Sequence, residues 1–174
     1  MANKTFPAGD KKTIQQFSAG SLVIVDGKDP KVLLLVQNNE FYKRKSNVAV
    51  IDIGPKGRIN PGEDAVAAAN REVKEETGLS LEIDTKFKGA KSYEFIDESS
   101  GNRIEKSVLY FLSIVSEEDI KKLKLSAEHK GYMLPTLDSA IEEMKFESDR
   151  KILEECREYL KERKAGRAWS AAAY

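Results

Sequence analysis

The residues most suited to chemistry are three glutamates, Glu72, Glu75 and Glu76, which lie close together in the chain. Their i, i+3 and i+4 spacing places all three carboxylates on one face if the segment is helical. Like charges at this spacing cost a helix roughly a few tenths of a kcal/mol per pair. A solvated acidic face is the ordinary explanation. Oxygen ligands gathered on one face also suit a hard divalent cation such as Mg²⁺ or Mn²⁺.

The surrounding residues predict the helix that this geometry needs. Pro61-Gly62 is a turn signal, and an alanine-rich run of high helix propensity follows over residues 64–69. Gly78 is suited to ending the helix. Small apolar side chains recur on one side of it and predict close packing against a sheet: Ala65, Ala68, Ala69 and Val73.

The segment that contains the glutamates, residues 57–79, reads GRINPGEDAVAAANREVKEETGL. It resembles the Nudix box, G-x5-E-x7-R-E-U-x-E-E-x-G-U, in which U is an aliphatic residue, and it matches every fixed position. The resemblance implies an α/β (α+β) fold, the Nudix α/β/α sandwich with a central mixed sheet. It also implies a metal-dependent hydrolase, in which water attacks a phosphoanhydride of a nucleoside diphosphate linked to another moiety.

The same resemblance implies roles for single residues. Three carboxylates and one carbonyl are the expected ligands of Mg²⁺ or Mn²⁺: Glu72, Glu75, Glu76 and Gly57. Two or three such ions would polarise phosphorus and lower the pKa of a bound water that attacks in line. Glu72 and Glu76 are expected to be the primary catalytic ligands, and the general base is either a box glutamate or Glu128. Glu63 and Arg71 are expected to form a structural ion pair that braces the loop against the helix.

Three segments resemble the asymmetrical diadenosine-tetraphosphate (Ap4A) hydrolases. Residues 54–64 are similar to P-K-G-x-x-x-P-G-E-D, residues 106–112 to K-x-V-x-Y-W-L, and residues 125–132 to L-S-x-E-H-x-x-Y. The resemblance implies Ap4A as substrate, with ATP and AMP as products. The chain departs from those hydrolases at residues 133–135, where they carry a Trp, and at residues 40–47, which replace a shorter aromatic loop.

Several residues outside the metal-binding carboxylates are candidates for substrate contact. Lys56 and Lys106 could neutralise the polyphosphate, although Lys106 could also be a strand-edge lysine that guards against aggregation. Tyr132 and Tyr93 could stack on a base, although a core-facing aromatic is the simpler interpretation of Tyr93.

The L-S-x-E-H segment supplies two further candidates. Glu128 is a possible fourth metal ligand or general base, and otherwise a solvated loop glutamate. His129 beside it could orient Glu128 or contact phosphate, and otherwise is a structural loop histidine. The basic run at residues 43–45 could also approach phosphates, but charge runs in loops are usually only solvated.

Other functions stay open on these residues. The alternative Nudix substrates are capped or 5′-triphosphorylated RNA ends, diphosphoinositol polyphosphates and nucleoside triphosphates. A formal net charge of zero argues against RNA and inositol phosphates, which favour a basic surface. A function of another class is a non-catalytic Nudix domain that senses a nucleotide and regulates a partner. The intact carboxylate cluster argues against it.

Composition narrows the remaining classes. With a net charge of zero and a pI of about 6.6, no global basic field recruits nucleic acid, except as a possible RNA 5′-end substrate. The single cysteine, Cys156, precludes an intramolecular disulfide, and its amphipathic setting favours a buried thiol. The one histidine excludes a His-rich zinc site. No apolar run is long enough to span a bilayer, and the N-terminus lacks a hydrophobic signal core, so we expect a cytoplasmic protein and, by default, a monomer.

Patterning predicts one domain over residues 13–164, between a flexible N-terminal arm (residues 1–12) and a C-terminal tail (residues 165–174) that could dock or be disordered. The expected strands cover residues 17–25, 32–36, 48–53, 81–87, 90–95 and 107–114, with a hairpin turn at 99–102. The expected helices after the box cover residues 117–123, 138–144 and 149–164.

Overall fold

The β-branched run near the N-terminus forms the central strand of the larger of two sheets. The computed structural model describes residues 11–172, with side chains up to residue 166. The strands are β1 (Thr13–Val25), β2 (Lys31–Val32), β3 (Leu34–Gln37), β4 (Ile51–Asp52), β5 (Lys56–Arg58), β6 (Asp84–Ile96), β7 (Arg103–Val115) and β8 (His129–Met133). The helices are α1 (Ala65–Thr77), α2 (Glu117–Ile120), α3 (Leu137–Glu143) and α4 (Glu147–Ala172).

The larger sheet is mixed. Its order is β2-β1-β7-β6, and β5 also pairs with β1. β1 and β7 run parallel over their whole length, from the Thr13–Arg103 pair to the Val25–Val115 pair, whereas the other pairings are antiparallel. The smaller sheet has the order β4-β3-β8 and is antiparallel.

Helices cover both faces of the larger sheet. On one face, α1 packs its small side chains Ala68 and Ala69 against Ala19 and Phe111. On the other face, a larger core joins β1 and β7 to α3 and α4, and it includes Leu22, Tyr110, Leu112, Ile141, Ile152 and Leu153. This arrangement of a mixed sheet between helical layers confirms the expected fold class.

Most of the expected elements are present with shifted ends. The first strand, the box helix and the hairpin are confirmed; the Asp97 N–H donates to the Asn102 carbonyl at 2.9 Å, and Gly101 takes the left-handed conformation. The strand expected at residues 48–53 is reduced to β4. The strands β5 and β8 were not anticipated. The helix expected to end at Lys164 instead continues to Ala172.

Two expectations about strands are wrong for reasons that lie in packing. Residues 32–36 are not one strand, because the chain leaves the larger sheet after Val32 and enters the smaller sheet at Leu34. The strands expected on either side of Gly89 are one strand, β6. A glycine at position 89 suits close packing within the strand, because a Cβ there would lie 2.6 Å from Ile152 of α4; it does not mark a strand end.

Two further features match the composition. Cys156 is buried, and burial raises the pKa of its thiol to about 12. Within residues 11–172 no helix combines the length and apolar character needed to cross a membrane. Most of the expected N-terminal arm, residues 1–10, lies outside the described residues, as do residues 173–174 of the tail.

Candidate active site

The helix α1 is fixed at both ends by its own sequence. The Asp64 carboxylate accepts a hydrogen bond from the Ala67 N–H at 2.8 Å, which caps the first turn. Gly78 adopts the left-handed conformation (φ 71°) and donates its N–H to the Lys74 carbonyl at 2.9 Å. These caps fix where α1 begins and ends, and the packing of Ala68 and Ala69 on the sheet sets the direction of its carboxylate face.

The three glutamates share this face but differ in exposure. Glu72 and Glu76 are buried, with 8% and 3% of their surface exposed, whereas the Glu75 side chain is 59% exposed. The sheet side of the helix therefore places two carboxylates inside and leaves the third at the rim.

Gly57 forms a seat for the Glu72 carboxylate. The pairing of β5 with β1 sets Gly57 opposite Ala19 and over the helix. A Cβ at Gly57 would lie 2.0 Å from both the Glu72 carboxylate carbon and Oε1. Only a residue without a side chain allows this contact, so the Glu72 oxygens lie directly against the backbone of β5.

Arg71 ties the loop before α1 to the carboxylates. Its Nε and Nη2 donate to both oxygens of Glu63, at 2.8 and 2.9 Å, and Nη2 also donates to the Arg58 carbonyl at 2.8 Å. The Arg71 guanidinium lowers the pKa of Glu63 to about 2. Its Nη1 contacts Glu72 at 2.5 Å and Glu75 at 3.3 Å, so the expected brace also reaches two of the expected metal ligands.

A group of polar side chains lies behind Glu76. Asp52 accepts hydrogen bonds from Lys56 Nζ at 2.9 Å and from Gln37 Nε2 at 2.8 Å, and it lies 3.4 Å from His129 Nε2. His129 Nε2 is also 3.8 Å from Glu76, and the Lys56 backbone N–H points at Glu76 at 3.4 Å. Burial alone would raise the pKa of Asp52, but Lys56 and the other donors hold it well below its usual range.

Burial dominates the electrostatics of the two inner carboxylates. It raises the pKa of Glu76 to about 9, with added repulsion from Asp52, Glu128 and Glu72 and partial relief from Lys56. Burial also raises the pKa of Glu72. A buried, charged carboxylate is unfavourable, and binding either a proton or a cation stabilises it.

These residues fit a hard divalent cation in their chemistry. The donors are oxygens, and the seat at Gly57 brings a backbone segment against Glu72. Among the side chains of residues 11–166 no group of three ligands is close enough together to hold a metal ion. Arg71 contacts both Glu72 and Glu75, and the Glu75 side chain is largely exposed. Cation binding therefore requires these two carboxylates to turn from Arg71.

The L-S-x-E-H segment places its two candidates differently. Glu128 is half-buried and accepts a hydrogen bond from the Tyr42 hydroxyl at 2.8 Å. The His129 ring is buried and faces Asp52 and Glu76 instead of Glu128. The expectation that His129 orients Glu128 is therefore wrong, and the ring lies behind Glu76, as a structural histidine does.

The sheet brings two of the expected substrate residues together. Tyr93 of β6 and Lys106 of β7 are cross-strand partners, and Lys106 also lies opposite Gln16 of β1. Because β7 has neighbours on both sides, Lys106 is not a strand-edge lysine. Tyr93 is 42% exposed, so its interpretation as a core aromatic is also wrong. Burial, with Lys56 and Arg58 nearby, lowers the pKa of Lys106 to about 8.

Lys56 and Tyr132 are the remaining candidates for contact with phosphate and base. Lys56 is mostly buried and paired with Asp52, which raises its pKa despite desolvation. Tyr132 of β8 is half exposed and lies opposite Leu35 of β3. In the basic run at residues 43–45, Arg44 is not merely solvated: it lies over the Tyr42 ring, 4.6 Å from its centre.

Comparison with known proteins agrees with this geometry. The family model described as the NUDIX domain matches residues 15–156. The chain belongs to the Nudix domain family. Rat bis(5′-nucleosyl)-tetraphosphatase (asymmetrical) is 31% identical over 107 residues, which cover 61% of this chain and 69% of the relative. A putative 8-oxo-dGTP diphosphatase of Bacillus subtilis is 37% identical over 82 residues, 47% of this chain and 49% of the relative.

A solved structure extends the similarity of the Nudix domain to the fold. The crystal structure of a Caenorhabditis elegans Ap4A hydrolase binary complex superposes with a TM-score of 0.67 at 26% identity. The match covers 83% of this chain and 97% of that one.

Some residues of this Nudix site were not anticipated from sequence. Three of them lie outside every motif: Asp52, Gln37 and Tyr42. Asp52 pairs with Lys56, the Gln37 amide donates to Asp52, and the Tyr42 hydroxyl donates to Glu128. The available signal was the single aspartate in the otherwise apolar stretch Val48–Ile53. A buried charge in a strand requires a partner, and that partner is Lys56.

Proposed function

We propose that this Nudix hydrolase cleaves bis(5′-nucleosyl) tetraphosphates asymmetrically, so that Ap4A and water give ATP and AMP. The observation that carries the proposal is the Glu72 carboxylate seated on Gly57 beside the buried Glu76. The similarity to the rat asymmetrical bis(5′-nucleosyl)-tetraphosphatase and to the C. elegans Ap4A hydrolase, together with the L-S-x-E-H segment, supports the choice of substrate.

Oxygen donors on α1 and β5 are the residues that would hold the metal. These are Glu72, Glu75 and Glu76 with the Gly57 carbonyl, and the ion is Mg²⁺ or Mn²⁺. When bound, a divalent cation of this kind polarises the phosphoryl group and lowers the pKa of water. Arg71, released from Glu72 and Glu75, still holds Glu63 and so keeps the loop in place.

Side chains around the carboxylates supply the remaining functions. Lys106, with Arg58 near it, places positive charge where a polyphosphate chain requires it. Tyr93 and Tyr132 offer exposed rings for stacking on a base. Glu76 or Glu128 accepts the proton of the attacking water. Lys56 stays with Asp52 and acts on Glu76 instead of on the substrate.

The test of this function is product analysis. Purified protein, Ap4A and Mg²⁺ are expected to give ATP and AMP in equal amounts, resolved by anion-exchange chromatography, and the Glu76→Gln variant is expected to give neither. Two ADP per Ap4A would contradict the cleavage position. No turnover of Ap4A would contradict the substrate.

A second candidate is hydrolysis of a nucleoside triphosphate to the monophosphate and pyrophosphate. The similarity to the putative 8-oxo-dGTP diphosphatase favours it, and residues 40–47 depart from the Ap4A hydrolases. The two functions are separated by comparing kcat/KM for Ap4A and for 8-oxo-dGTP in the same preparation. A ratio above about tenfold in either direction, about 1.4 kcal/mol in transition-state binding, decides between them.

The lowered pKa of Lys106 predicts a pH-dependent KM. Lys106 is cationic below pH 8 and loses its charge as the pH rises through about 8. We expect KM for a polyphosphate substrate to rise several-fold between pH 7 and pH 9 in the parent protein, an effect on the order of 1 kcal/mol. The Lys106→Met variant should have a high KM that lacks this step. An unchanged KM profile in the variant would show that Lys106 does not contact the substrate.

A further inference from the structure

The segment between β3 and β4, residues 38–50, is an ordered loop in contact with the active site. The Asn39 side-chain amide donates to the carbonyls of Ser46 and Val48, at 3.0 and 3.1 Å, and closes the loop on itself. Asn38 joins it to the segment before β8: its backbone N–H donates to the Glu128 carbonyl at 2.7 Å, and its side-chain amide donates to the Ala127 carbonyl at 3.2 Å.

One residue of the 38–50 loop contacts Glu128, the candidate general base or metal ligand. The Tyr42 hydroxyl donates to Glu128 Oε2 at 2.8 Å, the usual distance of an O–H···O hydrogen bond. The Arg44 guanidinium lies over the Tyr42 ring, 4.6 Å from its centre, and the Phe41 ring meets it edge to face at 5.1 Å. The tyrosine is therefore held on two sides while its hydroxyl meets Glu128.

A second connection leads from the same loop towards Glu76. Arg44 Nη1 donates to Gln37 Oε1 at 2.5 Å, and Gln37 Nε2 donates to Asp52 at 2.8 Å. Asp52 in turn holds Lys56 and approaches His129, the two residues that contact Glu76. Arg44 fixes the direction of the Gln37 amide, because the opposite orientation would turn an oxygen towards the Asp52 carboxylate.

We propose that Tyr42 and Arg44 are positioning residues of the active site: Tyr42 orients Glu128, and Arg44 orients Asp52 through Gln37 and so supports Glu76. The 38–50 loop thereby sets the Glu76 and Glu128 carboxylates relative to each other. The proposal rests on the hydrolytic function proposed above, and it assigns a role to a segment that differs from the Ap4A hydrolases. Neither residue needs to contact the substrate.

The first experiment tests the Tyr42–Glu128 contact without using activity. Trypsin can cut after Lys43, Arg44 and Lys45 when the 38–50 loop opens, and fragments that end there are identified by mass spectrometry. Tyr42→Phe and Glu128→Ala should each raise this cleavage rate about tenfold, and the double variant should cleave no faster than the faster single one. Tyr159→Phe, which removes a tyrosine–carboxylate contact with Asp84, is the matched control and should leave the rate unchanged.

The second experiment tests positioning with whichever nucleotide is hydrolysed. Tyr42→Phe and Arg44→Met should each lower kcat about tenfold and change KM by less than about twofold, because neither contact involves the substrate. Arg44→Met should have no further effect in a Gln37→Leu background. Lys121→Met, which removes an exposed cation at the end of α2 outside the site, is the charge control and should be unaffected.

The outcomes separate this proposal from the proposed function. Additive proteolysis effects in the Tyr42–Glu128 pair, or an Arg44 effect that persists without Gln37, would overturn the proposal even if Ap4A is hydrolysed. Non-additive proteolysis together with a normal kcat for both Tyr42→Phe and Arg44→Met would overturn it as well. The loop would then be bound to Glu128 without affecting how the Glu76 and Glu128 carboxylates act in catalysis. Failure to hydrolyse Ap4A, with coupling intact and another nucleotide hydrolysed, would overturn only the proposed substrate.

Discussion

Replacing Glu76 by Gln is expected to lower kcat by at least about a thousandfold while leaving the fold intact. Glu76 is 3% exposed and lies against the Lys56 N–H, so the amide has the same volume but cannot serve as an anionic ligand or accept a proton. The measurement is steady-state turnover of Ap4A with Mg²⁺, with circular dichroism to verify the fold. Glu118→Gln, on the exposed surface of α2, is the control.

The same substitution should stabilise the metal-free protein, and the sign follows from the pKa. Burial raises the pKa of Glu76 from 4.5 to about 9, so the folded state holds this proton more tightly than the unfolded state. The free energy of unfolding is therefore highest below pH 4.5 and falls as the pH rises towards 9. The glutamine side chain of the Glu76→Gln variant resembles the protonated acid at every pH. With EDTA present, the difference in Tm between variant and parent should therefore grow from pH 5 to pH 9. A variant that melts lower than the parent at pH 9 would contradict the burial argument, and an active variant would contradict the site.

Replacing Gly57 by Ala is expected to reduce kcat/KM by at least about a hundredfold, because the new methyl group would occupy the place of the Glu72 carboxylate. Gly57 is not among the glycines with positive φ, so the strand itself tolerates alanine and the damage falls on Glu72. We would measure turnover, together with Mn²⁺ binding by electron paramagnetic resonance, which should weaken in parallel.

Gly27→Ala provides the matched comparison for this substitution. Gly27 has no atom within 4 Å of the added Cβ and no positive φ, so alanine there should be neutral or slightly stabilising. In the double variant Gly57→Ala/Glu72→Asp the carboxylate is one methylene shorter, and thermal stability lost in the single variant should partly return. If Gly57→Ala were fully active, Glu72 would not need its seat on β5.

The local part of the site could be predicted from sequence. Spacing and propensity predicted α1, its end at Gly78 and the shared carboxylate face, and the resemblance to the Nudix box predicted the pairing of Arg71 with Glu63. All these features depend on residues within two or three helical turns of one another, where propensity, capping and spacing act directly.

The remainder depends on register between distant strands. Gln37 pairs with His129 across a bulge, and Leu35 pairs with Asp52, so three short strands bring together the polar group behind Glu76. Strands of two to five residues carry too little alternation to reveal such pairings. The unequal burial of Glu75 and Glu76 has a similar origin. Helical spacing gives the face, but only the position of β5 decides which part of it is covered.

The parallel pairing of β1 with β7 has a consequence for how the protein forms. Each β1 residue meets a partner about 90 residues later, from Thr13–Arg103 to Val25–Val115. Closing so long a loop is slow, and it places this protein among chains that refold in milliseconds to seconds. During synthesis, β2 and β5 can pair with β1 early, but the edge of β1 that binds β7 stays without its partner until residue 115 has left the ribosome. Although the box is contiguous in sequence, the sheet that supports the seat at Gly57 is complete only after this late event.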